Sequence, residues 1–489
     1  MIKRLLILLI LLVAVPCWGF DINTTNCDDS DATTFCIQTS ETTVDGDTRC
    51  HDSFPGSTAA CAGGDTLYLE GGSRQGLTIQ DFDGSGTYIT ITNDPTGGAK
   101  ATISENTYAD INITNCQYLD LNGNAAPGTH TYGIYAYHIS NFDNSITVSR
   151  DSDYIKLGYL EIEGRVEDPY ESVNGIRIGY VGTPVPIVFS NFEIHHNYLH
   201  TLSYSGMYIG HNEPHLGGNG ECTSNVVDGT CPYVENFSIH DNLFVDMGAY
   251  AMTFKGVVAG STANYIYDNI VRPSDRTSGG GYSTGLQYTG FADDLIWGGL
   301  FSKHLYAGAT VEIYDNYIEK PRSMGIKVLS ENISVYRNII VGAGNGGEGR
   351  SNGAITVEYN NLDDEAWDYA QIYDNIIVQA GVYGIVGTSG EGEVNHFNLE
   401  RNIIVDTPTE YLGSDVTEGT QGSPDCSEAW GTQSGCANVY AADTDSICFT
   451  TWSDDSDYSN DDFTLCCDYD FTPLTGVVVA PHALAAMLV

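Results

Sequence analysis

Basic side chains are scarce in this chain, so the few that share a spacing are the first candidates for chemistry. Lys and Arg number 19 against 64 Asp and Glu. Three of these cations recur in short segments led by a small residue: Arg177 in NGIRIG, Lys255 in AMTFK and Lys327 in GIKVL. Sister segments place Tyr208 (GMYIG) and Gln287 (GLQYT) level with Arg177 and Lys327, and Lys255 two residues further along. His211 and His215 follow the Tyr208 segment directly. Gathered on one surface, such side chains can hold an anion, and a lysine, tyrosine or histidine among them can move a proton. The plainer reading of the same residues is a set of solvated side chains, each paired with a nearby carboxylate. Acids offer a second chemistry. Asp293, Asp294 and Glu358, with Asp364 and Glu365 close by, could supply the carboxylate pair of a glycoside hydrolase, which needs a separation of roughly 5 Å or 6.5–9.5 Å.

Other chemistries fall away. GYSTG (281–285) matches the letters of a nucleophile elbow, but it follows a glycine-rich stretch and leads into strand-like residues, where the elbow needs strand, turn and helix. HExxH, the phosphate-binding lysine loop and a dinucleotide fingerprint followed by a helix are all missing from the sequence. A formal charge of −45 repels phosphate backbones and anionic membrane surfaces, so nucleic acid is excluded as a partner. Hydrophobic residues make up 42%, enough for a large core and too many for wholesale disorder.

The elements that must position these residues are short strands. One phrase recurs as FEIHHNYL, FSIHDNLF, NYIYDNIV, VEIYDNYI, ISVYRNII, AQIYDNII and FNLERNII, and its asparagines are Asn197, Asn242, Asn269, Asn316, Asn338, Asn375 and Asn402. The smallest unit is ~22 residues, at the short end of solenoid repeats, and longer gaps hold inserted segments. Between asparagines lie the segments led by a small residue, with apolar positions alternating at period two. One unit cannot bury its apolar face alone, and stacked units can. In a stack of coils ~4.8 Å apart, a repeated asparagine becomes an internal ladder whose amides bond one another. Long insertions at 211–235, 290–309 and 359–368 leave at one corner, so they are expected to wall a groove over the face carrying Arg177 and Lys327.

These repeats resemble the right-handed parallel β-helix proteins of the pectate-lyase-like superfamily over roughly residues 62–410, and GDTLYLEGGSRQGLTIQDFDGSGTYITITN (64–93) is similar to their opening coils. The resemblance implies an all-β, right-handed parallel β-helix and a range of activities: polysaccharide lyases, glycoside hydrolases, pectin esterases, tailspikes and non-catalytic adhesins. Residues 1–19, with Lys3, Arg4, an apolar run and small residues at Cys17 and Gly19, read as a secretory signal peptide cleaved after Gly19. A secreted protein, extracellular, periplasmic or on the cell surface, is therefore expected, and no other apolar run reaches the ~20 residues of a spanning helix. Residues 20–61 are expected to form a disulfide-tied cap over the first coil, and residues 411–489 an irregular Cys- and Asp-rich closing cap and tail. Short separations suggest Cys27–Cys36, Cys50–Cys61, Cys222–Cys231 and Cys426–Cys436, with Cys448 joined to Cys466 or Cys467. Cys116, alone in a strand-like segment, is expected as a buried core thiol.

In lyases of the kind this chain resembles, Lys or Arg removes the C5 proton of a uronate, and Ca2+ or polar side chains neutralise its carboxylate. Carried onto this sequence, the resemblance implies Lys255 as base and Tyr208 or His211 as acid. Arg177, His215, Gln287 and Lys327 would bind a polysaccharide substrate, with Ca2+ as the metal called on. The acidic surroundings work against a lysine base by raising its pKa, and a bound Ca2+ would partly cancel that field. Hydrolysis by the acids named above is the alternative chemistry. A third reading is a non-catalytic glycan binder that stacks sugars on tyrosine ridges.

Overall fold

The computed structural model describes residues 36–51 and 58–412, less segments 96–97, 105–108, 126–129, 139–142, 165–172, 181–187, 211–232, 248–249, 255–263, 273–293, 298–310, 322–323, 329–332, 344–352, 359–369 and 389–396. Beyond residue 412 it describes the short strands 416–418, 439–441, 449–451 and 462–465. The signal-peptide segment, the acidic run 454–461 and most of the cysteines given partners above lie outside the described residues. Cys36 and Cys61 are in disulfides, but the side chains of Cys27 and Cys50 are outside the described set, so those pairings stay expectations.

Alternation at period two produces strands, and those of the coils pair with their equivalents one coil away; two short antiparallel pairs, Cys50–His51 with Thr58–Ala59 and Phe449–Thr451 with Asp462–Leu465, stand outside this pattern. Three long parallel sheets result. Sheet 1 has 13 strands, from Cys36–Ile37 to Val416–Glu418. Sheet 2 has 12, from Gly72–Gln75 to Val439–Ala441, and sheet 3 has 12, from Thr43–Asp45 to Thr409–Leu412. The chain visits them in the order 1, 2, 3 and then returns to sheet 1 one level on. It is a parallel β-helix. Parallel pairing runs from Cys36 to Ala441. Among the described residues the helical content is a four-residue turn, Gly46–Arg49, and no helix is long and apolar enough to cross a membrane.

The core is built from files of like residues. On the inner face of sheet 1, Leu67, Ile91, Leu121, Leu157, Ile194, Ile239, Ile266, Ile313, Val335, Ile372 and Leu399 stand in one register line, all buried. Each such side chain contributes about 1.5–3 kcal/mol through burial. Cys116 lies in the same core as a free thiol, and burial pushes its pKa up to about 12, as expected of an inert structural cysteine.

The asparagine ladder runs unbroken. Asn197 donates through Nδ2 to Oδ1 of Asn242 at 2.9 Å, and Asn242 to Asn269 at 3.0 Å. The chain of amides continues through Asn316, Asn338 and Asn375 to Asn402 at 2.9–3.0 Å, and none of the seven is more than 1% exposed. The residue before each asparagine has φ between 52° and 58° (His196, Asp241, Asp268, Asp315, Arg337, Asp374 and Arg401). A left-handed residue other than glycine costs roughly 1–2 kcal/mol. The ladder amide offsets this by donating a second hydrogen bond to the carbonyl two residues back, as from Asn316 to Tyr314 at 2.9 Å.

One expected strand is replaced. The coil assigned to 285–289 uses Asp294–Trp297 instead, which pairs with Tyr250–Phe254 on one side and Ile326–Val328 on the other. Both segments alternate, and 294–297 sets Ile296 in register with Met252 and Ile326. The expected insertion 290–309 therefore contains a strand of the helix.

The outer face of sheet 1 carries one carboxyl with a marked pH consequence. Asp120 is next to Lys156 in register, and Lys156 is next to Glu193. Burial, only partly opposed by Lys156 and Asn122, pushes Asp120 from an ordinary 3.8 up to about 6. The folded state thus keeps a proton that the unfolded chain releases, so between about 4 and 6 stability falls as pH rises. Asp120→Asn removes that penalty. It is expected to gain of order 1 kcal/mol over wild type at pH 8, the gain vanishing near pH 4, as read by urea denaturation at the two pH values. A gain of equal size at pH 4 would contradict this origin.

Candidate functional site

Sheet 3 brings the predicted cations into one file. Arg177 pairs with Tyr208, Tyr208 with Thr253, Thr253 with Trp297, and Trp297 with Lys327. The file continues upward to Thr147 and downward to Thr356. Inner-face neighbours such as Ile176, Ile178, Met207 and Ile209 are fully buried, so strand alternation turns the Arg177 file outward. Arg177 places its guanidinium carbon 5.4 Å from the centre of the Tyr208 ring, a cation–π contact that fixes the arginine.

Several expectations change here. Tyr208 is only 3% exposed, so it supports Arg177 from beneath and is not an open groove floor. Arg177 and Lys327 are four strand steps apart, roughly 19 Å at ~4.8 Å per step, too far to act on one sugar ring. The position in register with Lys327 in the preceding coil is Trp297. Lys255, His211, His215, Gln287, Asp293, Asp364 and Glu365 lie outside the described residues.

The acid pair is also separated. Asp294 opens its strand in register with Tyr250, and Glu358 closes the strand Gly353–Glu358 in register with Thr388. Ile296 and Ile355 share a file two strands apart. Asp294 precedes that file by two residues and Glu358 follows it by three, an offset of roughly 16 Å along the strands. That backbone offset is longer than the 6.5–9.5 Å of the wider hydrolase geometry; the side chains of Asp294 and Glu358 lie outside the described residues.

Sheet 1 holds a cluster that sequence reasoning missed. Outward residues His195, His240, Tyr267, Tyr314, Tyr336 and Tyr373 share one register line. Their rings stack face to face, with centroids 4.8–5.5 Å apart and interplanar angles of 3–11°. The stack starts at Gly158, where a Cβ would lie 2.5 Å from Cε1 of His195. Ring faces within the stack are therefore occupied by neighbouring rings, and the Tyr336 hydroxyl donates to Glu312 Oε2 at 2.7 Å. A ridge built this way does not offer the open faces that sugar stacking needs.

At the corner beside this ridge, the left-handed turn residues alternate in charge from Asp315 through Arg337 and Asp374 to Arg401. Arg337 grips Asp315 through Nε at 2.7 Å, and Arg401 grips Asp374 through two bonds at 2.7 and 2.9 Å. At the other end of the file, His196, His240 and Asp241 bring one ligand atom each within 4.8 Å of one another. His240 Nδ1 is 2.8 Å from Asp241 Oδ2, and its Nε2 is 3.2 Å from Glu193 Oε1. Burial works against a charged His240 ring, but Asp241 and Glu193 outweigh it and raise the pKa to about 9. His195 goes the other way: burial, aided by His196 and His240, lowers it to about 4. The bond from His240, opposed by burial and helped by Lys156, holds Glu193 down to about 2.

Ca2+ takes six to eight oxygen ligands, and two imidazoles with one carboxylate do not fit that need. Among the described residues, then, the sole group of three close ligand side chains is not suited to the expected metal. A clue was present in the sequence, because HHN and HDN are successive copies of one turn, which stacks His196 beside Asp241.

No protein-family model and no curated protein matches the chain. Among solved structures, it is similar to an alginate lyase from Paenibacillus sp. str. FPU-7, with 11% identity, a TM-score of 0.40, and coverage of 78% of this chain and 99% of that one. It is also similar to a mannuronic acid specific polysaccharide family 6 lyase from human gut microbiota, with 13% identity, a TM-score of 0.40, and coverage of 73% and 77%. The catalytic domain of an α-1,3-glucanase is similar at 11% identity, with a TM-score of 0.34 and coverage of 72% and 63%.

Proposed function

We propose that this protein is a secreted, carbohydrate-active β-helix that cleaves a uronate-containing polysaccharide by β-elimination, with the polymer lying along the outer face of sheet 3. The observation that carries this reading is the outward register file that holds both Arg177 and Lys327. In a chain of formal charge −45, an anionic polymer needs local cations to approach at all. Two cations roughly 19 Å apart along the helix axis suit successive carboxylates of an extended chain better than one small ligand.

Lys255 follows Thr253 of this file by two residues in sequence, and in this reading it removes the C5 proton. His211 is the better acid, since Tyr208 is buried beneath Arg177. Arg177 and Lys327 hold substrate carboxylates, and His215 and Gln287 complete the binding set. Ca2+ would serve only to neutralise charge on the uronate.

Incubating purified protein with alginate, pectate, glycosaminoglycans and neutral glycans tests the reading. Elimination leaves an unsaturated end that absorbs in the ultraviolet for every new reducing end. Reducing ends without that absorbance would replace the lyase reading with a hydrolase, and no new ends on any glycan would leave a binder.

A further inference from the structure

We propose that His196, His240 and Asp241 form a binding site for a divalent transition metal of the Zn2+ class, at the corner between sheets 1 and 2. This site stands apart from the sheet 3 reading and does not depend on it.

The donor set is the first argument. Two imidazole nitrogens and one carboxylate oxygen match the ligands of a three-protein-ligand zinc site, with a fourth position open to water or another ligand. His240 Nδ1 is 2.8 Å from Asp241 Oδ2, and His196 Nε2 is 4.0 Å from the same oxygen. Ligand atoms around a tetrahedral zinc are roughly 3.4 Å apart, so small side-chain rotations close the site. Binding exchanges the proton between His240 Nδ1 and Asp241 for the metal.

Preorganisation is the second argument. Each ligand's other contacts already hold it in place. Glu193 Oε1 takes the second nitrogen of His240 at 3.2 Å, and Lys156 Nζ sits 2.7 Å from Glu193 Oε2. A carboxylate on the far nitrogen of a ligating histidine orients the ring and increases its basicity. The ring of His240 is stacked between His195 and Tyr267. Tyr159 stacks on His196 at 4.7 Å, and His195 Nδ1 lies 3.1 Å from His196 Nδ1, which leaves Nε2 of His196 toward Asp241. The backbone is fixed too. His196 and Asp241 are the left-handed turn residues immediately before Asn197 and Asn242 of the ladder. A metal here would staple two successive coils whose ligands are 45 residues apart in sequence.

The test is a titration of the chelator-treated, full-length protein with Zn2+, with Co2+ and with Ca2+, each alone. The expected result is about one saturable equivalent of Zn2+ and of Co2+ that is lost in His196→Asn and Asp241→Asn, with intense visible absorption from tetrahedral Co2+. Asparagine is chosen because it tolerates the left-handed turn, so both variants keep the fold. Glu193→Gln should weaken binding about 10- to 100-fold, while His200→Ala, on sheet 2 beside Glu161, should leave this equivalent unchanged. No saturable binding, an equivalent that survives in both asparagine variants, or Ca2+ held here in preference to Zn2+ would overturn the assignment.

Discussion

Asn316→Ala is expected to lose about 3–5 kcal/mol of folding stability, although the substitution is small and touches no candidate site residue. Asn316 is fully buried. Its Nδ2 donates to the carbonyls of Ile266 (3.0 Å) and Tyr314 (2.9 Å) and to Oδ1 of Asn338 (2.9 Å). Its Oδ1 accepts from both the backbone N (3.1 Å) and Nδ2 (3.0 Å) of Asn269. Alanine fills none of these roles, and each buried polar group left without a partner costs about 1–3 kcal/mol. Relaxation of the turn recovers part of the sum, but Asp315 at φ 55° then keeps a left-handed backbone with less to hold it. Urea denaturation followed by two independent probes gives the measurement. A loss below ~1 kcal/mol would mean that the ladder is dispensable to stability.

Lys255→Ala is expected to lower the elimination rate by about 10²- to 10⁴-fold, with the fold unchanged. In the proposed reading, general-base removal of the C5 proton is the step that neither Arg177 nor Lys327 of the sheet 3 file can take over. Arg177 and Lys327 are too far along the axis, at roughly two strand steps on either side of Thr253. Substitution of those two residues should behave differently. Arg177→Ala and Lys327→Ala remove contacts equally present in ground and transition states, so KM should rise while kcat changes little. Initial rates of unsaturated-end formation on the best uronate polymer separate the two patterns. Elimination at wild-type rate in Lys255→Ala would remove lysine from the base role.

Much of the scaffold was legible in the sequence because its signals are local and repeated. The seven asparagines announce their ladder through one phrase, and the Ile/Leu/Val file of sheet 1 follows from the same phrase three residues earlier. The file of Arg177, Tyr208, Thr253 and Lys327 was legible for the same reason. What sequence could not supply was competition between equivalent segments. GLQYT and DLIW both alternate, and it is the second that pairs with Tyr250–Phe254 and Ile326–Val328. Burial of an outward residue was equally hidden: alternation gives the direction in which Tyr208 points, not what covers it. His196, His240 and Asp241 were passed over because each reads as the polar turn residue or the flank of a ladder asparagine. Their proximity arises only when coils with a 45-residue gap are stacked.

A uronate oligomer bound to the Lys255→Ala protein, located by crystallography, tests the placement of the site most directly. The expected density runs along the outer face of sheet 3, parallel to the helix axis, with one carboxylate at Arg177 and another at Lys327, roughly 19 Å apart. An oligomer lying on the His240–Tyr373 ridge of sheet 1, or one that crosses sheet 3 without meeting either cation, would contradict it.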